Sequence, residues 1–170
     1  MPLDLPAPPI AGIALRPVEP RDEAFLRALY YSVREAELAA TNWDERTKRA
    51  FTDSQFDLQD RWYRTQYEGA KLLVIEQAGE AIGRIYLYES PSELRLMEIA
   101  LVAARRNAGI GTALVEWLKE LAAAKGRAVT LHVETFNRAR ALYARLGFAE
   151  VSAEGFYVQC RWTPGETRSG

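Results

Sequence analysis

Cysteine and histidine are nearly missing from this 170-residue chain, with one of each. A single cysteine excludes an internal disulfide, which fits a reducing cytosol and a cytoplasmic location. One histidine and one cysteine exclude a zinc finger or a Cys-rich cluster, so no metal is expected. A surplus of either charge is also missing: 22 Lys and Arg stand against 23 Asp and Glu, for a net charge of −1. That balance gives no overall pull toward nucleic acid or an acidic membrane, and neither is expected as a partner. No apolar run approaches the roughly 18 residues that span a bilayer. The opening MPLDLPAPPI lacks the basic start and long apolar stretch of a secretory signal and reads as a Pro-rich arm.

What is present is an ordinary globular composition, 48% apolar and 26% charged, which argues against wholesale disorder. A chain of this length is expected to form a single domain over residues 1–170, with flexible ends at 1–10 and 164–170. Ile13 to Arg16 reads as a short strand stopped by Pro17, and Glu19-Pro20-Arg21-Asp22 as a turn with an N-cap. Phe25, Leu29, Val33 and Ala36 recur at helical spacing and predict a helix from about Asp22 to Ala39. Thr41-Asn42-Trp43-Asp44 interrupts it, and Asp44 is expected to cap a second helix reaching about Tyr67. That helix carries two apolar stripes, one of Phe51, Leu58 and Trp62 and one of Phe56, Tyr63 and Tyr67. The first reading is a helix packed between two layers. The second gives one stripe to the core and the other to a pocket or a dimer partner.

From residue 71 the period changes to that of strands. Leu72 to Ile75 and Ala81 to Tyr88 are joined by a hairpin turn at Gln77-Ala78-Gly79-Glu80. Leu94 to Val102 follows, and its apolar end is expected to be buried on both faces. A helix from Gly109 closed by Gly126, a strand from Ala128 to Val133 and a short helix stopped by Gly147 come next. Two last strands, Phe148 to Val151 and Phe156 to Trp162, complete the order. Hairpins combined with strand-helix-strand crossovers imply a mixed α+β sheet covered by helices.

Ala100 to Leu114 carries the most chemistry: a strand, a loop with two arginines and two glycines, then an amphipathic helix. The first N–H groups of a helix have no intrahelical acceptor, and the helix dipole adds positive potential there. Gly109 and Gly111 let a ligand approach the backbone. Arg105 and Arg106 can add charge-assisted hydrogen bonds. These parts suit a phosphate or pyrophosphate, and they equally suit a tight turn with solvated arginines. The loop is neither G-x-G-x-x-G nor a P-loop, since no Gly-Lys-Ser/Thr follows.

Arg106-Asn107-Ala108-Gly109-Ile110-Gly111 resembles the R-x-x-G-x-G/A signature of the GNAT N-acetyltransferase superfamily, again between a strand and a helix. Leu131-His132-Val133, then Asn137, then Ala141-Leu142-Tyr143-Ala144-Arg145-Leu146-Gly147-Phe148 resemble its second motif, L-x-V, N and LY-x-x-x-GF. Leu15-Arg16-Pro17 leading to Asp22 is similar to its opening strand and turn. The resemblance spans nearly the whole chain in the family's order. It implies a GNAT-like, mostly antiparallel sheet with a splayed central strand pair, flanked by helices, and acetyl-CoA as acyl donor. It also implies that Arg106 and the backbone of Asn107, Ala108, Gly109, Ile110, Gly111 and Thr112 hold the pyrophosphate. Pantetheine would pair with the strand at Ile99, Ala100 and Leu101, and Asn137 would belong to the same cofactor site. The acceptor amine would enter from the other side, partly against the two helices before residue 70. Family members often dimerise, so a homodimer is a further expectation.

An alkyl amine has a pKa of about 10 and is mostly protonated at neutral pH, so a base must act before the nitrogen attacks a thioester. Tyr143 matches the family's general acid for the departing thiolate, and its place on a short helix also suits a core residue. At the commonest family position for a base this sequence has Arg95, with Glu98 and Glu93 nearby. Glu98 sits in an apolar run, where a carboxylate is costly unless paired or functional. It comes first, Glu93 second, and a structural salt bridge is the alternative. His132 reads as a hydrogen-bonded strand histidine and Cys160 as a small buried hydrophobe. Asn107 stands where the family often has Gly, and Ala103 where it often has Pro.

The leading reading is an acetyl-CoA-dependent N-acetyltransferase in which a small-molecule or peptide amine attacks directly in a ternary complex. A non-catalytic acyl-CoA-binding or regulatory module on the same fold is the alternative. A binder of ATP or a dinucleotide comes last, because the loop lacks either fingerprint. Glu35, Glu37, Asp44, Asp57 and Asp60 read as a solvated face interleaved with Arg and Lys rather than as a lure for a cationic amine.

Overall fold

A computed structural model describes residues 5–165. Of the ends expected to be flexible, 1–4 and 166–170 therefore lie outside the described residues. Residues 5–10 form no regular element, yet Pro8 is buried and its carbonyl accepts the Ile10 N–H at 2.8 Å.

The described elements run β1 (Ile13–Pro17), α1 (Glu23–Ala39), α2 (Glu45–Gln66), β2 (Lys71–Gln77), β3 (Glu80–Glu89), β4 (Glu93–Leu101), α3 (Ile110–Ala124), β5 (Ala128–Glu134), α4 (Ala139–Arg145), β6 (Ala149–Glu154) and β7 (Tyr157–Trp162). Short 3-10 turns at Pro20–Asp22 and Ala103–Arg105 precede α1 and α3. The strands order as β1-β2-β3-β4-β5-β7-β6 in a mixed, mostly antiparallel sheet. This is the α+β architecture that the alternation of periods implies. The described residues cluster in two compact units, one of 5–86 with 98–111, the other of 87–97 with 112–165.

In the first unit β1 pairs antiparallel with β2, from Ile13↔Gln77 to Pro17↔Leu73. Asp44 caps α2 as expected, its carboxylate accepting the Thr47 N–H at 2.8 Å. Asp22 does not cap α1. Its carboxylate turns back to accept the Glu19 N–H at 2.8 Å and to pair with Arg16 at 2.7 Å. The guanidinium is the stronger partner and wins the side chain. The buried face of α1 is also rotated from the expected one: Leu26, Leu29, Tyr30 and Leu38 are buried, while Val33 and Ala36 are exposed. Leu26 and Tyr30 pack with Phe56 of α2, and the Tyr30 and Phe56 rings meet edge to face at 5.9 Å. Only one stripe of α2 therefore serves the core. Phe51, Leu58 and Trp62 stay exposed, so α2 is not packed between two layers.

In the second unit the start of β4 pairs parallel with β5, from Glu93↔Ala128 to Leu96↔Leu131. β5 pairs antiparallel with β7, and β7 with β6. Leu94, Leu96, Leu114, Leu118, Leu131 and Phe148 are almost wholly buried in its core. Cys160 is buried too, as a small hydrophobe should be, and burial pushes its thiol pKa up. The apolar end of β4 departs from expectation, since Met97 to Leu101 are half-buried rather than buried on both faces. The ladder to β5 runs from Glu93 to Leu96, and the half-buried residues of β4 lie beyond it.

Candidate active site

The loop after β4 is shaped by two residues with left-handed backbone, Asn107 at φ 61° and Gly109 at φ 83°. Asn is among the few non-glycine residues that adopt this region readily, which explains how the loop keeps its path without Gly at 107. Arg106 through Gly109 are exposed, and Ile110 turns inward at the first position of α3. Arg106 anchors the loop. Its Nε donates to the Leu101 carbonyl at 2.9 Å and its Nη2 to Ser32 Oγ at 3.1 Å. Arg105 donates from Nε to Gln77 Oε1 at 2.8 Å. Both arginines thus begin as braces of the loop, with their remaining N–H groups free to serve a ligand.

β3 makes a close approach to the end of β4 where the resemblance puts the pantetheine strand. A Cβ on Gly83 would collide with the Ala100 carbonyl oxygen and lie 2.9 Å from Leu101 Cδ2. The Val102 N–H donates to the Ile82 carbonyl at 2.8 Å. Gly83 therefore fixes where Ala100 and Leu101 lie.

Glu98 sits on the same stretch of β4, its side chain about a quarter exposed and 3.5 Å from both Arg84 Nη2 and Gln59 Nε2. Arg84 is 3% exposed, and its Nη2 also donates to Gln59 Oε1 at 2.9 Å. Its guanidinium stacks over the Tyr86 ring at 4.9 Å and lies 5.9 Å from the rings of Tyr30 and Phe56. Burial works against the Arg84 charge and is the largest single influence, but the Glu98 carboxylate together with Tyr86 and Tyr63 outweighs it, and the pKa is raised. The structural salt bridge offered as the alternative for Glu98 is thus present. The exposed quarter of the side chain still leaves the carboxylate an approach from solvent.

The second unit holds the other expected residues. Tyr143 lies on α4, 8% exposed, with its ring edge-on to Phe148 at 5.7 Å. Asn137 Oδ1 accepts the Ala139 N–H at 2.9 Å, an Asx turn that leads into α4. Glu93 pairs with Arg161 at 3.5 Å. Arg95 reaches the His132 ring at Nδ1. Burial, then the Arg95 charge, lower the His132 pKa, so the imidazole is neutral at pH 7. His132 is a hydrogen-bonded strand residue, as expected.

Arg84 is a site residue that lies outside every motif of the sequence. A cation inside the apolar run Ile82 to Leu87 carries the same signal that singled out Glu98. Two such charges on neighbouring strands ask to be paired. The acidic residues of α1 and α2 behave as a solvated, interleaved face: Asp57 pairs with Arg27, and Asp60 with Arg64. Among the described residues no group of three or more His, Cys, Asp or Glu could hold a metal, and no helix is long and apolar enough to cross a membrane.

The fold recurs in solved structures. PaiA N-acetyltransferase from Thermoplasma acidophilum, solved in complex with coenzyme A, superposes with a TM-score of 0.67 at 18% identity, covering 89% of this chain and 98% of that one. An acetyltransferase from Thermus thermophilus gives 0.64 at 17% identity, covering 91% and 98%. One from Streptococcus agalactiae gives 0.61 at 16%, covering 91% and 99%. At these identities the likeness shows the fold alone. No curated protein matches the chain. The model of the acetyltransferase (GNAT) family matches residues 34–148. That span runs from α1 through the loop and both motifs to Phe148, well over half of the sequence, and the chain belongs to the GNAT acetyltransferase family.

Proposed function

We propose that the protein is an acetyl-CoA-dependent N-acetyltransferase for a primary amine, acting as one domain by direct attack in a ternary complex. The observation that carries this reading is the loop from Arg106 to Gly111. A Cβ added at Gly109 or Gly111 would meet nothing within 4 Å. The backbone there is open to a ligand at the end of a helix whose first N–H groups lack intrahelical acceptors. These residues fit a pyrophosphate, and the backbone of Asn107 to Thr112 would hold it with help from Arg106. Ile99, Ala100 and Leu101 would hold pantetheine along β4. Asn137, whose Oδ1 already accepts the Ala139 N–H, would contribute through its remaining polar atoms.

Acetyl-CoA supplies, when bound, the thioester whose C–S bond is exchanged for a C–N bond. Glu98 takes a proton from the ammonium form of the acceptor, and Tyr143 keeps a proton at its phenol oxygen for the departing sulfur. Arg84 and Gln59 hold the Glu98 side chain in one place. Glu93 stands second as base.

The alternative, a non-catalytic acyl-CoA module, draws support from one observation: both candidate carboxylates are tied to an arginine, Glu98 to Arg84 and Glu93 to Arg161. A thermal-shift titration with acetyl-CoA, CoA, ATP and NADH tests the cofactor. Ligand at about 100 times its Kd adds roughly 2.7 kcal/mol, or a rise of roughly 5–10 °C for a chain of this size. The expected result is a shift with acetyl-CoA and CoA alone. A larger shift with ATP or NADH overturns the cofactor, and a CoA shift without thiol release on any of a panel of amines favours the binding module.

A further inference from the structure

Arg84 makes its closest hydrogen bond to a neutral group although a carboxylate is within reach. Its Nη2 lies 2.9 Å from Gln59 Oε1 and 3.5 Å from Glu98 Oε2. Its Nε is buried with no acceptor. A guanidinium and a carboxylate typically close through two parallel N–H bonds. This chain does so elsewhere: Arg16 meets Asp22 at 2.8 and 2.7 Å, through both oxygens. A spare Nε–H on a buried arginine is a costly omission, and a close pair with Glu98 would repair it. The residue that stands in the way is Gln59 of α2. Its amide fits in one orientation, Oε1 to the guanidinium and Nε2 to the carboxylate, because a flipped amide would set donor against donor and acceptor against acceptor. Gln59 Nε2 and Arg84 Nη2 both lie 3.5 Å from the same Glu98 oxygen, Oε2, and neither contact uses Oε1.

We propose that Gln59 is a positioning residue for the base: by taking the Arg84 guanidinium as its own hydrogen-bond partner, it holds the Arg84–Glu98 pair open and leaves Glu98 Oε1 to receive the acceptor's proton. The inference rests on the reading of Glu98 as base. A carboxylate clamped by a guanidinium resists protonation, and a general base must take a proton up readily. The other titratable groups whose fields reach Glu98 are Tyr86 of β3 and Tyr30 of α1. Burial raises both phenols, so both are neutral at pH 7. Asp60, next to Gln59 on α2, acts on Tyr86 and pairs with Arg64. The distance between Arg84 and Glu98 therefore governs the charge on the carboxylate, and Gln59 sets that distance.

Two substitutions move the pair in opposite directions. Gln59→Met removes the amide at similar volume and lets Glu98 close on Arg84. Gln59→Glu gives Arg84 a stronger acceptor and puts a second carboxylate beside Glu98. Carboxyl-carbon NMR on the full chain with labelled glutamate follows Glu98, whose signal is assigned by its loss in Glu98→Gln; circular dichroism checks that each variant folds. The titration midpoint of Glu98 should fall by about one pH unit in Gln59→Met and rise by about one in Gln59→Glu. CoA thiol release gives the second reading. In Gln59→Met kcat should fall about tenfold with KM for acetyl-CoA unchanged, Gln59→Glu should exceed it, and the acid limb of each pH profile should follow the carboxyl midpoint. A midpoint that moves the same way in both variants, or in neither, overturns the proposal, as does a Gln59→Met chain with the parental kcat and pH profile. Midpoints that move as expected beside a Glu98→Gln chain of parental turnover show a different failure: the hydrogen-bond arrangement is right, and the reading of Glu98 as base falls, taking the role of Gln59 with it.

Discussion

Glu98→Gln, made alone and together with Arg84→Met, separates two jobs that the geometry gives to one carboxylate. Removing one partner of a buried ion pair costs about 3–5 kcal/mol, because the other charge is left without compensation. Here the pair spans 3.5 Å, Glu98 is a quarter exposed, and Gln59 still accepts from Arg84 at 2.9 Å. Those features reduce the loss to about 2 kcal/mol, a fall in Tm of about 4–8 °C for a chain of this size. Arg84→Met places an apolar side chain among the rings of Tyr30, Phe56 and Tyr86 and removes the stranded cation. The double variant should recover most of the lost Tm. Turnover should behave differently. Loss of a general base costs about 10²–10⁴-fold, and no recovery is expected in the double variant, because Met cannot accept a proton. The assay is CoA thiol release with a saturating amine as a function of pH, read beside thermal denaturation. If Glu98→Gln keeps turnover within about threefold, or if the double variant regains activity along with stability, Glu98 is only the partner of Arg84.

Tyr143→Phe should lower kcat by about 10²-fold while calorimetry finds acetyl-CoA binding unchanged; normal turnover would remove Tyr143 from the mechanism. The Arg16 guanidinium holds the Asp22 carboxyl at about 2, against 3.8 for a free carboxyl. The folded-state pKa is depressed, so the stability it supplies is fully present above about pH 4 and is lost as pH falls toward about 2, at most about 2 kcal/mol. Urea titrations should therefore show Asp22→Asn with a shallower loss of stability between those pH values, and an identical slope in both chains would refute the linkage. Gly83→Ala must push β3 from the Ala100 carbonyl and should cost about 1–3 kcal/mol; an unchanged urea midpoint would show that the strands give way without strain.

Element order was legible because the chain changes its hydrophobic period at residue 71 and punctuates each turn. Asp44 before α2 and Ala78-Gly79 between β2 and β3 are local chemistry, and the structure keeps both. The face of α1 was not legible. Phe25, Leu29 and Val33 and the alternative Leu26, Leu29 and Tyr30 are both helical stripes, and only the position of Phe56 on α2 decides between them. The end of β4 misled for a related reason. An apolar run reports that side chains avoid water, but the number of hydrogen-bonded neighbours is set by where the ladder to β5 stops. Within the candidate site, the exposed loop from Arg106 to Gly111 was legible from glycines and a strand-helix junction. The pairing of Glu98 with Arg84 was not, since it joins residues on two strands and each charge looks equally misplaced alone.

The short ladder between β4 and β5 has a consequence for local opening. With four paired positions, Glu93 to Leu96, and five residues running on beyond them, β4 is firmly seated at one end and tied on one side at the other. Amide protons in proteins exchange at rates set by the weakest local opening that frees them. The fourth strand in an order of seven would ordinarily hold some of the slowest amides in the chain. In this protein the amides of residues 98–101 that point away from β3 should instead be fast exchangers inside a slow sheet, and a ligand that pairs with that strand would leave its footprint as a slowing confined to those alternate amides.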